Sequence, residues 1–240
     1  MTGHYIRRHI RRKPLPHGEN PRGRDLVIFD CDGVLVDSEL IFARVLGECL
    51  AEADFPATTD EALALGFGKN RATLCAAVES RFGRPLSDAF FETMRARTAL
   101  VLERELQPIP GVEELLNTLP LPRCVASNGH LERVRERLAL TSLLRFFDPH
   151  VFSAVQVAAG KPAPDLFLFA AGRLGTPPGG CIVVEDSAAG VAAAIAAQMP
   201  VVGFCGGSHC PNDHAERLSA AGCSRVFARM TDLAAFLREE

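Results

Sequence analysis

The chain has no tryptophan and a single tyrosine among its 240 residues. Stacking platforms for single-stranded nucleic acid are built from aromatic faces, so the sequence is poorly equipped for that class of partner. No apolar run approaches the roughly 18 residues of a membrane span. The opening residues also lack the apolar stretch of a secretory leader. The expectation is a cytoplasmic protein that neither enters a membrane nor is exported. No CxxC occurs, and the eight cysteines (31, 49, 75, 124, 181, 205, 210 and 223) are scattered, several within apolar patterns. In a chain of this length they read as reduced, largely buried thiols, not as a disulfide framework.

Basic charge is scarce beyond the first 24 residues. Those hold seven Arg or Lys against one acid, Glu19, while the whole chain carries 26 bases and 29 acids. The remainder is therefore acidic and ill suited to a phosphate backbone, which needs a basic face. Residues 1–24, with Pro14, Pro16 and Pro21, are expected to be a disordered basic tail. At 48% hydrophobic, the rest has ample material for a core. No long apolar helix face is left over, so a monomer is expected.

From Asp25 onward, short apolar runs alternate with helical patterns. The runs are Leu26–Phe29, Cys124–Ala126, Val151–Phe152, Cys181–Val184 and Val201–Phe204, with a weaker one at Arg225–Ala228. Helical periodicity separates the later ones, at Leu131–Leu140, Asp165–Leu174, Ala189–Gln198 and Asp213–Ala221. This order predicts an α/β fold, a Rossmann-like parallel sheet with helices on both faces. One interval breaks the rhythm. After the first run the pattern turns helical near Leu40–Ala53, Arg71–Phe82 and Asp88–Glu105, until Pro108 and Pro110. We read 39–107 as a helical insertion, a small cap over a core made of 25–38 and 108–240.

In an open parallel sheet, ligands lie beyond the carboxyl ends of the strands. The residues just past those ends are Asp30 and Asp32, then Ser127 and Asn128, then Lys161, then Glu185 and Asp186. In extended chain, side chains two apart share a face, so Asp30 and Asp32 point together and Cys31 points away. Crowded carboxylates repel unless a cation offsets them. Mg²⁺ suits oxygen ligands. Asp30 and Asp186 can supply side-chain oxygens and Asp32 a backbone carbonyl, with Glu185 direct or through water. Ser127 at a strand-to-helix turn and the charge of Lys161 suit a phosphate group. Gly33 permits close backbone approach.

The segments "FDCDGVLVDSE", "VASNG", "GKPAPDLF" and "VVEDSAAG" stand in an order that resembles the haloacid dehalogenase superfamily, over residues 26 to about 207. The nearest branch carries a helical cap (subclass I) and includes 6-phosphogluconate phosphatase, β-phosphoglucomutase and phosphoglycolate phosphatase. The resemblance implies a Mg²⁺-dependent phosphatase acting on a small phosphate ester, a sugar or sugar-acid phosphate. It implies Asp30 as nucleophile and Asp32 as acid and base. Ser127, the Asn128 amide and Lys161 would hold the phosphoryl group, and Asp186 the metal, with Glu185 beside it. Dehalogenases of the superfamily lack the second acid, so Asp32 points to phosphoryl transfer. Mutases of the branch carry a His where this chain has Phe42. A phosphomutase and a non-catalytic binding protein on the same scaffold are the alternatives.

Four further features carry expectations. Lys69 and Arg71 in "LGFGKNRATL" form either a basic loop that reads the substrate or an ordinary helix–helix turn. Asp37 and Ser38 are expected to cap the following helix and to serve as the hinge into the cap. His209 and His214 are expected to be surface loop residues. The spacing in "CGGSHC" does not match a zinc motif.

Overall fold

Leu26–Phe29 form β1, and all four residues are fully buried. The structure is a computed structural model, and it describes residues 24–66 and 71–239. The tail expected at 1–24 therefore lies, apart from Arg24, outside the described residues, as does Lys69. Four helices follow β1: α1 (Glu39–Glu52), α2 (Thr59–Gly66), α3 (Arg71–Phe82) and α4 (Asp88–Glu105). Then come α5 (Val112–Thr118), β2 (Arg123–Ser127), α6 (Leu131–Leu140), β3 (Val151–Ser153) and α7 (Asp165–Leu174). The chain ends with β4 (Cys181–Glu185), α8 (Ala188–Ala196), β5 (Val201–Phe204), α9 (His214–Ala221), β6 (Val226–Phe227) and α10 (Met230–Glu239).

All six strands are parallel, in the order β3-β2-β1-β4-β5-β6. The alternation of β1 explains why its run is apolar throughout. Val27 and Phe29 pack with residues of α5, α6 and α10, whereas Leu26 and Ile28 pack with α7 and α8 on the opposite face. The Rossmann-like sheet is thus covered on both sides. The chain builds outward from β1 to β3, then returns and builds outward again from β4. The strand order reverses between β1 and β4, and a crevice opens there at the strand ends.

The helices α1–α4 close over a separate apolar cluster that includes Val45, Leu50, Phe55, Leu74, Val78, Phe90 and Phe91. Their entry and exit segments run side by side. Asp37 N–H donates to the Gln107 carbonyl at 3.0 Å, and Ile109 N–H to the Leu35 carbonyl at 2.9 Å.

Among the described residues, α2 and α10 lie outside the sequence reading. α2 was hidden by its shortness and by Gly66. Its local signal is a reciprocal pair: Thr58 N–H donates to Glu61 Oε2 at 2.8 Å, and Glu61 N–H to Thr58 Oγ1 at 3.2 Å. α10 buries Met230, Leu233, Ala234 and Leu237, a one-face spacing that the sequence does contain.

Candidate active site

The first strand delivers its carboxylate by staying in register. Asp30 N–H donates to the Val184 carbonyl of β4 at 3.0 Å, so Asp30 sits at the edge of the sheet beside the end of β4. Cys31 turns into the core, while Asp30 and Asp32 both line one cavity of about 730 Å³ between the strand ends and the helical cap. Ser127, Asn128, Lys161 and Asp186 line the same cavity.

Lys161 bridges two of the acids. Its Nζ donates to Asp30 Oδ1 at 2.6 Å and to Glu185 Oε1 at 2.5 Å, and its side chain is 4% exposed. Burial works against the ammonium charge, but Asp30 and Glu185 outweigh it and hold Lys161 above its ordinary pKa. Asn128 fixes the lysine from behind. Its Oδ1 accepts from Lys161 N–H at 2.9 Å, and its Nδ2 donates to the Lys161 carbonyl at 3.0 Å. The Asn128 side chain is thereby committed to the lysine backbone. Ser127 Oγ accepts from Gly129 N–H at 3.0 Å, which shapes the turn into α6.

Glu185 is fully buried beneath the start of α8, where the Ser187 hydroxyl donates to its Oε2 at 3.0 Å. Asp186 lies against Gly33, which has φ +76°, and a Cβ at position 33 would stand 1.8 Å from Asp186 Oδ2. Both the left-handed backbone and the space require glycine there. Gly33→Ala is expected to cost about 2–4 kcal/mol, from the left-handed strain and the forced displacement of Asp186. Urea denaturation of the two proteins measures it, and a loss below about 0.5 kcal/mol would mean that the turn relaxes freely.

Asp32 is held differently. Ser38 Oγ donates to its Oδ1 at 2.5 Å and Arg137 Nη1 to its Oδ2 at 2.5 Å. The Arg137 guanidinium lies 4.7 Å from the centre of the Phe42 ring. Ser38 precedes α1 but makes no side-chain cap bond, so the expected capping role is corrected: its hydroxyl is drawn to the half-buried Asp32 carboxylate. Asp37 is likewise turned away from the helix, and its Oδ1 accepts from Ser208 N–H and Oγ at 3.1 and 2.8 Å. Arg137 escaped the sequence reading. Its signal is an arginine on the buried stripe of α6, between Val134 and Leu138.

His209 and His214 are not surface residues. They are 4% and 6% exposed, because the loop after β5 folds back over Asp186. His214 Nε2 donates to the Asp186 carbonyl at 2.7 Å, and His209 Nε2 lies 3.1 Å from Asp186 Oδ2. Of the two basic cap residues, Arg71 lines the cavity, pairs with Asp88 and stacks 4.0 Å over the Phe91 ring.

The acids crowd one another. Burial raises Asp30 well above the usual carboxylate range; Lys161 opposes this, and Glu185 and Asp186 add to it. Burial likewise raises Asp186, with Glu185 next and Lys161 opposing. Glu39, on the cavity wall, is raised by burial and by Asp32, Asp186 and Asp30. Asp30, Glu185 and Asp186 each offer a carboxylate oxygen within 4.8 Å of the others. Asp186 Oδ2 is buried and receives no well-formed hydrogen bond. An all-oxygen set with an unsatisfied anionic atom fits a hard divalent cation.

Residues 24–198 match the family model of haloacid dehalogenase-like hydrolases. The chain belongs to that family. Among curated relatives, 6-phosphogluconate phosphatase of Escherichia coli K12 is 32% identical over 186 residues, 77% of this chain and 84% of the relative. Hexitol phosphatase A of the same organism is 32% identical over 180 residues, 73% of this chain and 80% of the relative. A haloacid dehalogenase-like protein from Agrobacterium tumefaciens superposes with a TM-score of 0.81 at 40% identity, covering 90% of this chain and 99% of its own. A family hydrolase from Deinococcus radiodurans, crystallised with phosphate and sodium, does so at 0.78 and 32%, covering 91% and 96%. This family member is an enzyme, a phosphatase-type hydrolase, as its motifs imply.

Proposed function

We propose that this hydrolase is a Mg²⁺-dependent phosphatase that cleaves a small phosphorylated metabolite, a sugar or sugar-acid phosphate, through an aspartyl-phosphate on Asp30. The observation that carries the reading is the buried Asp30–Lys161–Glu185 bridge, with Asp186 beside it and Asp32 on the same cavity.

An Asp30 oxygen attacks phosphorus and the bond to the leaving oxygen breaks. Asp32 gives that oxygen its proton, then takes one from the water that attacks the phosphorus of the acyl-phosphate. Inorganic phosphate leaves and Asp30 is restored. Lys161, already on Asp30, balances negative charge on the phosphoryl oxygens, and the Ser127 hydroxyl and Asn128 backbone amide receive them. A bound magnesium ion, held by Asp30, Asp186 and the Asp32 carbonyl with Glu185 near, would neutralise phosphoryl charge and the repulsion among these acids. The cap completes the cavity. Arg137 and Arg71 on its wall suit a carboxylate or hydroxyls of the leaving group. We place the cap at 39–107 and the core at 25–38 and 108–240.

Phe42 counts against a phosphomutase. It presents an apolar ring under Arg137, with no group to shuttle a proton. Incubation of the enzyme with phosphorylated sugars and sugar acids plus Mg²⁺ is expected to release inorganic phosphate. Isomerised sugar phosphate without release would sink the phosphatase reading.

Asp32→Ala is expected to lower kcat about 10²–10⁴-fold on an alkyl phosphate. The loss should be smaller on p-nitrophenyl phosphate, whose leaving group departs without a proton. Equal losses on the two substrates would remove Asp32 from the role of acid.

A further inference from the structure

The loop after β5 brings together donors of a kind that the phosphatase chemistry does not use. His209, Cys210 and His214 each place a ligand atom within 4.8 Å of the others. The two histidines are buried and Cys210 is half-buried. His209 Nε2 lies 3.4 Å from Cys210 Sγ and 3.1 Å from Asp186 Oδ2. In a tetrahedral zinc site, bonds of about 2.0–2.3 Å set neighbouring ligand atoms about 3.3–3.6 Å apart. The two separations from His209 Nε2 already stand close to that spacing.

A second observation concerns His214. A carbonyl oxygen only accepts, so the 2.7 Å contact with the Asp186 carbonyl requires the proton on His214 Nε2. Nδ1 is then the nitrogen with a lone pair. Metal-bound histidines are typically held this way, with one ring N–H on a backbone carbonyl and the other nitrogen on the ion. His209 is also set in a fitted space. A Cβ at Gly33 or Gly207 would come within 2.8 or 2.7 Å of its Cε1.

We infer that His209, Cys210 and His214, with the Asp186 carboxylate as shared fourth ligand, form a second cation site that takes a borderline-soft divalent ion such as Zn²⁺, and that its occupation inhibits hydrolysis. Donor chemistry separates this site from the magnesium set. Nitrogen and sulfur favour zinc over magnesium, whereas Asp30, Glu185 and Asp186 offer only oxygen. Asp186 belongs to both groups, so an ion drawn to the nitrogen and sulfur side competes for an oxygen that the magnesium set needs. On binding, the Cys210 thiol releases its proton to solvent and the thiolate bonds the ion. The sequence reading looked for a zinc pattern in the spacing of Cys205 and Cys210. The sulfur that matters is Cys210, and the nitrogens belong to the residue before it and to the first residue of α9, four positions onward.

The test uses the full chain in saturating Mg²⁺ with Co²⁺ as a spectroscopic stand-in for zinc. The expected result is one equivalent of Co²⁺ with a thiolate-to-cobalt charge-transfer band, which an all-oxygen site cannot produce. Cys210→Ser should abolish the band, and His214→Gln should weaken apparent Co²⁺ affinity at least tenfold. Absence of the band in the unaltered protein, or its persistence in Cys210→Ser, would overturn the site.

The inhibitory half rests on the phosphatase reading and is measured separately. At fixed Mg²⁺, half-inhibition of Cys210→Ser should need at least tenfold more Zn²⁺ than the unaltered enzyme, each rate taken relative to the same protein without zinc. Equal sensitivity would detach the site from activity while leaving the binding result intact.

Discussion

Asp30→Asn is expected to remove phosphate release almost completely, by at least about 10⁴-fold in kcat, while the protein remains folded. The substitution keeps the shape of the side chain and an oxygen that can still accept from Lys161 Nζ, now 2.6 Å away. It removes the anionic oxygen that would attack phosphorus, and an amide cannot form the acyl-phosphate. Folding should tolerate the change. Lys161 keeps its bond to Glu185, and burial already opposes the charge of Asp30. The measurement is inorganic phosphate release with Mg²⁺ on the best substrate, beside a thermal melt of both proteins. Release that survives in a folded Asp30→Asn enzyme would mean that another group attacks.

Lys161→Met should cost both stability and activity. Methionine fills much of the volume of the lysine stem but leaves Asp30 and the fully buried Glu185 without their shared cation. Removing one partner of a buried ion pair costs about 3–5 kcal/mol, because the remaining charge is left uncompensated. For a domain of this size that corresponds to a fall in Tm of roughly 6–20 °C. Mg²⁺ should recover part of the loss, because an ion that binds the folded acids stabilises that state by mass action. The check is Tm for both proteins in chelator and in excess Mg²⁺. A variant that melts within a degree or two of the unaltered protein in chelator would show that the acids do not depend on Lys161. Recovery of stability without recovery of turnover would separate its structural role from phosphoryl binding.

Much of the core was legible because its signals are local. β1 and β5 fall on the apolar runs at Leu26–Phe29 and Val201–Phe204, since a strand buried on both faces has no polar positions to blur its edges. The helices Arg71–Phe82, Asp88–Glu105, Leu131–Leu140 and Asp165–Leu174 match their periodicity end to end. Apart from α10, whose one-face spacing is present in the sequence, what escaped was short or non-local. α2 spans only eight residues, and its capping pair is a subtle mark. Ser38 looked like a cap because a serine before a helix usually is one; the half-buried Asp32 carboxylate six residues earlier claims its hydroxyl instead.

The amino-acid sequence alone determined the parallel α/β core and the helical insertion. It also determined which strand ends carry acids and a lysine, because patterns of burial and the residues that follow each strand are written along the chain. Only the tertiary structure decided which of those groups share a bond. Lys161 reaches Asp30 across 131 positions, Arg137 reaches Asp32 across 105, and His214 reaches the Asp186 carbonyl across 28. Such pairings depend on strand order and on loops folding back. A side chain's charge and burial are set by what arrives from elsewhere in the chain, and one-dimensional spacing holds no record of that arrival.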